Sequence, residues 1–191
     1  TPLVFGNQSF ALQGDFSAPQ ARILDSQGQD VTATVTAGTL GAELDTRNNT
    51  LPSYLASLNS LAQNLADQVN TTLSQGVDVN GSAPVNNRFT YGSRAPDAQH
   101  ISVNPLITPD QIAAALPSAP GGNGNALALS ALANAVGANG STFTQTYAAL
   151  GAQVGQDVST ATANETTGQQ LVTQAQSIRS QLSGVSLDQE A

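Results

Sequence analysis

The chain has 191 residues with no cysteine, methionine or tryptophan, 13 acids against 5 arginines, no lysine, and a net charge of −8. This composition excludes disulfides, thiol nucleophiles, thiolate metal sites and iron–sulfur clusters, and its sparse acidic charge, 9% of residues, disfavours nucleic acid and anionic membrane surfaces as partners. No apolar run approaches the ~20 residues that a membrane helix needs, and the length suits one structural domain held by packing alone.

Residues 1–38 carry short β-type runs at Leu3-Val4-Phe5, Ser9 to Leu12, Ala21 to Leu24 and Val31 to Thr36, separated by Gly6-Asn7, Gly14-Asp15 and Ser26-Gln27-Gly28. The spacing predicts a small β meander. In Val31 to Thr36 the valines and threonines alternate as a half-buried strand requires. So few strands need the helical part that follows to pack against.

From about residue 40 to 74 the period becomes helical: Leu44, Leu51, Leu55, Leu58, Ala62, Leu65 and Val69 form a heptad seam. Pro52 predicts a kink there, or a fresh start capped by Thr50. Gly76 is expected to close the helix in the left-handed conformation. Residues 76–100 read as loop, with an Asp78 to Gly81 turn and strands at Arg88 to Tyr91 and Ile101 to Val103. Thr108 followed by Pro109 predicts a capped short helix over about 109–116, stopped by Pro117 and Pro120. A second short helix is expected over about 126–136.

The longest element is expected over about 142–183. Tyr147, Leu150, Val154, Asp157, Ala161, Asn164, Gly168, Leu171, Ala175, Ile178 and Leu182 alternate steps of three and four, a coiled-coil spacing weakened in the middle by Asp157, Asn164 and Gly168. The expected fold is α+β, mainly α. It is a long antiparallel helical bundle or coiled-coil-like rod over 39–191, with the β-rich segment of 1–38 packed on it and short side helices. The helix-packing seam is then Leu44, Leu51, Leu55, Leu58, Leu65 and Val69 against Tyr147, Leu150, Val154, Leu171, Ile178 and Leu182.

Chemistry-bearing motifs fail one by one. Asp78-Val79-Asn80-Gly81-Ser82 opens like a calcium loop, but Ala83 stands where such a loop wants glycine and Phe89 where it wants glutamate. Gly121 to Asn125 precedes a helix without the lysine of a phosphate loop. His100 is the sole histidine, too few for a zinc site, and no G-x-S-x-G motif gives it a nucleophile. Glu43 and Asp45, two apart on a helix, point to different faces, and nothing marks Asp97 or Asp110. The N-x-[ST] triplets at Asn70 and Asn139 are expected by chance in so Asn/Ser/Thr-rich a chain. No catalytic residue, metal ligand or cofactor is expected.

Gly38-Thr39-Leu40-Gly41-Ala42-Glu43-Leu44, then Arg47, Leu51-Pro52-Ser53-Tyr54 and Leu58 to Ala62, closely resemble the G-x-L-G-x-x-L-x-x-R segment of the flagellar hook-associated protein family FlgK and the helix after it. Val69-Asn70 and Gly76 to Gly81 are similar to that family's V-N…G-x-D-x-N-G continuation. Thr142-Phe143, Tyr147, Leu150 and Val154-Gly155 resemble its T-F-x-x-x-Y-x-x-L-x-x-x-V-G stretch. Ser183 to Glu190 resembles S-G-V-N-L-D-E-E, and Leu3 to Gly6 an upstream L-V-x-G element. The ordered set, across nearly the whole chain, carries the resemblance.

The resemblance implies a structural subunit, secreted unfolded by the flagellar type III apparatus and assembled at the hook–filament junction of the extracellular flagellum. Its partners would be other axial proteins (the hook protein and hook-associated proteins) and itself, with an export chaperone engaging regions outside this chain. Helices of the family type are expected on both sides of this stretch. The family's outer β-rich insertion looks absent after the D-x-N-G turn, because Ile101 to Val103 and Thr108 follow almost directly. Without terminal helices the chain is expected to be monomeric. Competing readings are another axial protein, such as the hook protein or the third hook-associated protein, and a secreted carbohydrate- or host-protein-binding module, which the 4% aromatic content serves poorly.

Overall fold

The computed structural model describes residues 4–5, 8–137 and 140–183. Leu3, the Gly6-Asn7 turn, Asn139 and the stretch Gly184 to Glu190 lie outside the described residues. The described part is mainly helical, with small antiparallel β pairs, an α+β arrangement. The β elements are three separate two-stranded pairs rather than one meander: β1 (Val4–Phe5) with β2 (Gln8–Ser9), β3 (Gln13–Asp15) with β4 (Arg22–Leu24), and β5 (Phe89–Thr90) with β6 (Ser102–Val103). Gly14 and Asp15, expected in a turn, belong to β3, in register with Ile23 and Arg22. The Arg22 guanidinium and the Ser17 hydroxyl both donate to the Asp15 carboxylate. These bonds, Ser17's first, hold its pKa down to about 2.

The strand expected over Val31 to Thr36 does not form. Pairing ends at the Leu24–Asp30 bridge, because the Asp30 carboxylate accepts from both the amide (2.9 Å) and the hydroxyl (2.6 Å) of Thr32. The Thr32 hydroxyl oxygen in turn accepts from the Ile23 amide at 2.8 Å. Side-chain capture of this kind competes with a ladder, and residues Thr32–Thr34 close into a 3-10 turn instead. Val31 and Val35 still face inward, with Leu12, onto a core of Ala21, Ile23 and Leu44.

Leu44 belongs to α1 (Gly38–Asp45), which continues through one π turn (Thr46–Thr50) into α2 (Leu51–Ser74). The backbone stays right-handed helical at Thr46, Thr50 and Leu51, and the Leu51 amide reaches back to the Thr46 carbonyl. In an α register the Pro52 ring would meet the carbonyl of Asn48. The wider turn just ahead of it absorbs that conflict, so the Thr50 side chain makes no cap. The two glycines at the head of α1 have separate reasons. Gly38 has φ +69°, which glycine tolerates, and a Cβ on Gly41 would come within 2.8 Å of the Thr36 backbone.

Asn48, in the π turn, accepts from the Ala21 amide at 2.7 Å and donates to the Ala21 carbonyl at 2.8 Å. It thereby joins the β-rich segment to the helix as a strand partner would. Asn70 makes the same two-way clamp on Phe89, at 2.9 and 3.0 Å. Asn59 accepts from the Ala98 amide, and Gln63 donates to the Pro96 carbonyl.

Ala66, Leu73, Val77, Ala113 and Ala115 are also buried, and Val77 follows the C-terminal end of α2. There Val77 and Ala115 exchange amide bonds of 2.8 and 3.2 Å. The helix expected over 109–116 is only the 3-10 turn Pro109–Gln111 with a Thr108/Gln111 capping box. Ile112 turns extended, because the backbone beyond it pairs with Val77 rather than with itself. Gly76 follows α2, but its φ is not positive. Glycine is required there by close approach: a Cβ would lie 2.2 Å from the Asn125 amide nitrogen and 2.7 Å from the Ala115 carbonyl oxygen. Asn125 is fully buried in α3 (Gly124–Ala131) and donates to the Ala113 carbonyl. A 3-10 turn (Leu132–Asn134) follows, and then α4 (Phe143–Ser183).

Candidate assembly surface

The α2 seam divides according to what covers it. Towards its C-terminal end Leu73 is buried and Val69 half-buried, and Leu65, 37% exposed, lines a groove with Val69, Phe89, Ile112, Leu129 and Phe143. Towards its N-terminal end Leu51 is 56% and Leu55 55% exposed, with Leu58, at 38%, level with Leu65. Leu44 serves the β-rich core instead of the seam.

α4 runs antiparallel to α2, since its first residues, Phe143 and Thr144, meet Leu65 and Val69 while Asp157 meets Tyr54. The Tyr54 hydroxyl donates to the Asp157 carboxylate. That bond, then burial and the negative charge, pushes the Tyr54 pKa up. Gln153 donates to the other carboxylate oxygen at 2.8 Å. Asp157, which weakens the seam on paper, thus ties the two helices together and sets their register. Leu150 is half-buried on this stretch, Val154 is at the edge of exposure, and Tyr147 is exposed.

Beyond Asp157 the situation changes. From Val158 to Leu182 every residue is exposed, including Leu171, Val172 and Ile178, with Leu182 85% exposed. At Tyr54 α2 is within one turn of its start at Leu51, and the π turn and α1 before it face the β-rich segment through Asn48 and Leu44. The structure therefore brings together Val69, Leu65 and the start of α4. It leaves Leu171, Ile178 and Leu182 without cover from α2.

The other candidate chemistry resolves into local structure. The Asp78 carboxylate accepts from the amides of Asn80 and Ser82, both at 2.8 Å, and Gly81 takes φ +77°, so the segment is a closed turn. His100 Nδ1 lies 2.7 Å from Asp97 Oδ1, though out of hydrogen-bonding alignment, while the His100 amide donates to the same oxygen at 2.9 Å. Burial pushes the Asp97 carboxyl up, but the His100 ring and amide outweigh it and hold the group below its usual range. The nearby Tyr91 hydroxyl is buried without a hydrogen-bond partner among the described residues, and burial, with the charges of Asp67 and Asp97, raises its pKa. This is an acid and an imidazole locked within one turn, with no cysteine, serine or second imidazole aligned on them among the described residues. No helix among the described residues is long and apolar enough to cross a membrane.

The Tyr54–Asp157 tie and the groove beside Phe143 are what sequence reasoning missed. Tyr54 and Phe143 stand in the family-like motifs, but periodicity gives no sign that they face other elements.

Residues 1–89 match the family model described as the flagellar hook-associated protein FlgK helical domain. No curated protein matches, and no solved structure does. The matched stretch contains α1, α2, both N-terminal β pairs and the Asp78 turn, while the motifs at 142–155 and 183–190 lie beyond it. Over residues 1–89, then, the chain is similar to the helical domain of the flagellar hook-associated protein FlgK.

Proposed function

We propose that the chain is a structural subunit of the bacterial flagellum at the hook–filament junction, acting through assembly with other axial proteins and with itself, and not through catalysis. It is secreted to the extracellular flagellum, and an export chaperone engages regions outside this chain. The observation that carries this reading is the uncovered apolar stripe. Leu51, Leu55 and Leu58 on α2, and Leu171, Ile178 and Leu182 on α4, stand exposed on long helices within a chain poor in charge. Contiguous exposed apolar surface marks an interaction site, and heptad spacing fits helices of neighbouring chains.

In organisation, residues 1–38 form a β-rich segment clamped on a helical rod of 39–191, the two making one structural domain. The Asn48 clamp on Ala21 supports this. The seam pairs fully only in the assembled state, where neighbouring helices extend the two-helix contact into a long bundle. The alternatives within the axial class, the hook protein and the third hook-associated protein, lack the support of the FlgK-domain match.

The test is complementation. The full-length gene carrying this chain is expected to restore filament attachment in a strain lacking its own first hook-associated protein. Cells with hooks but no filaments, despite export of the protein, would contradict the assignment.

A further inference from the structure

The groove beside Phe143, about 500 Å³, is apolar except for Arg88 and Thr144. Arg88 is half-buried and has no ion-pair partner among the described residues. A guanidinium set beside an apolar floor, in a chain with a net charge of −8, selects an apolar group that carries an acid.

The chain itself contains such a segment. Val185-Ser186-Leu187-Asp188-Gln189-Glu190 carries two apolar residues followed by two acids within six positions. It cannot reach the groove of its own molecule. The groove lies at the first turn of α4 and Ser183 at its last, about 60 Å apart along the helix. The eight residues after Ser183 span at most about 28 Å when fully extended.

We propose that the groove receives residues 185–190 of a second copy, with Val185 and Leu187 on the apolar floor and the acids of Asp188 and Glu190 against Arg88. The proposal rests on the assembly reading above and names one contact through which copies join. Groove and segment are different surfaces at opposite ends of α4, so the contact joins the head of one copy to the tail of another. A single contact of this size is weak, and repetition along an assembly strengthens it. The free chain is accordingly monomeric when dilute.

The test is a titration of a fluorescein-labelled synthetic peptide of residues 180–191 with the whole chain, followed by fluorescence anisotropy. Saturable binding is expected. Arg88→Glu should weaken it about tenfold, and a peptide carrying Asp188→Arg and Glu190→Arg should bind the Arg88→Glu chain better than the unaltered peptide does. A Val185→Ser/Leu187→Ser peptide should fail to bind. Arg88 is half-exposed, so the variant chain is expected to keep its circular dichroism spectrum and melting temperature; binding is compared only once that holds, and Arg88→Gln replaces it otherwise. The proposal is overturned if the unaltered peptide does not saturate, if a scrambled peptide binds equally well, or if the charge exchange regains nothing. Any of these results alongside successful complementation removes the groove contact and leaves the assembly role standing. Peptide binding alongside failed complementation does the reverse.

Discussion

In a chain with 13 acids and 5 arginines, side-chain amides do much of the joining that charges do elsewhere. Asn48 holds the β-rich segment to the helix, Asn70 holds β5 to α2, and buried Asn125 holds the Ala113 backbone beside Gly76. Each satisfies a backbone group that would otherwise lose water without gaining a partner. Asn70→Ala leaves both the amide and the carbonyl of Phe89 short of a bond. It should cost about 1–3 kcal/mol, seen as a lower urea midpoint at unchanged slope. An unchanged midpoint would mean that water replaces the clamp at no cost. Asn70 stands in a family-like V-N pair, but nothing in the sequence marks any of the three as a clamp, since asparagine is common along the chain and the partners lie 12, 19 or 27 residues away.

At the scale of elements, α4 is two helices in one. Its first part rests on α2 through the Tyr54–Asp157 tie, and the rest, from Val158 onward, is exposed throughout. The exposed part is rich in threonine. Thr162, Thr166, Thr167 and Thr173 bond back to carbonyls four residues earlier, and threonine, serine and glycine are weak helix formers. An unsupported helix of this length and composition is marginal in water. Amide hydrogen exchange of the isolated chain should therefore be fast over 160–183 and slow over 60–73, and equal protection of the two would contradict the division. The long helices were legible because apolar periodicity persists over many turns. The Val31 to Thr36 strand and the 109–116 helix were misread because one local interaction decides each: the Asp30 carboxylate on Thr32, and the Val77 backbone on Ala115. The reason for glycine at position 76 was misread too, since crowding by Asn125 is a tertiary fact that no turn rule contains.

For the whole molecule, the apolar stripe opens progressively along α2: beside α3, β5 and the start of α4, Leu73 is buried and Leu65 and Val69 line the groove, while Leu51 and Leu55 at the other end are more than half exposed. The heptad pattern marks a helix face but not what covers it, and it counts Leu44, which packs in the β-rich core, because periodicity records a face and not its partner. On the proposed assembly reading, Leu55 and Leu58 serve a neighbouring chain. The measurement that bears on this most directly is filament attachment in cells whose full-length protein carries Leu55→Asp and Leu58→Asp. Both sites are exposed, so the melting temperature of the isolated chain should shift little. The protein should be exported, yet filaments should fail to attach. Normal filaments on cells expressing this double variant would contradict the claim that the uncovered stripe is the surface through which the subunit assembles.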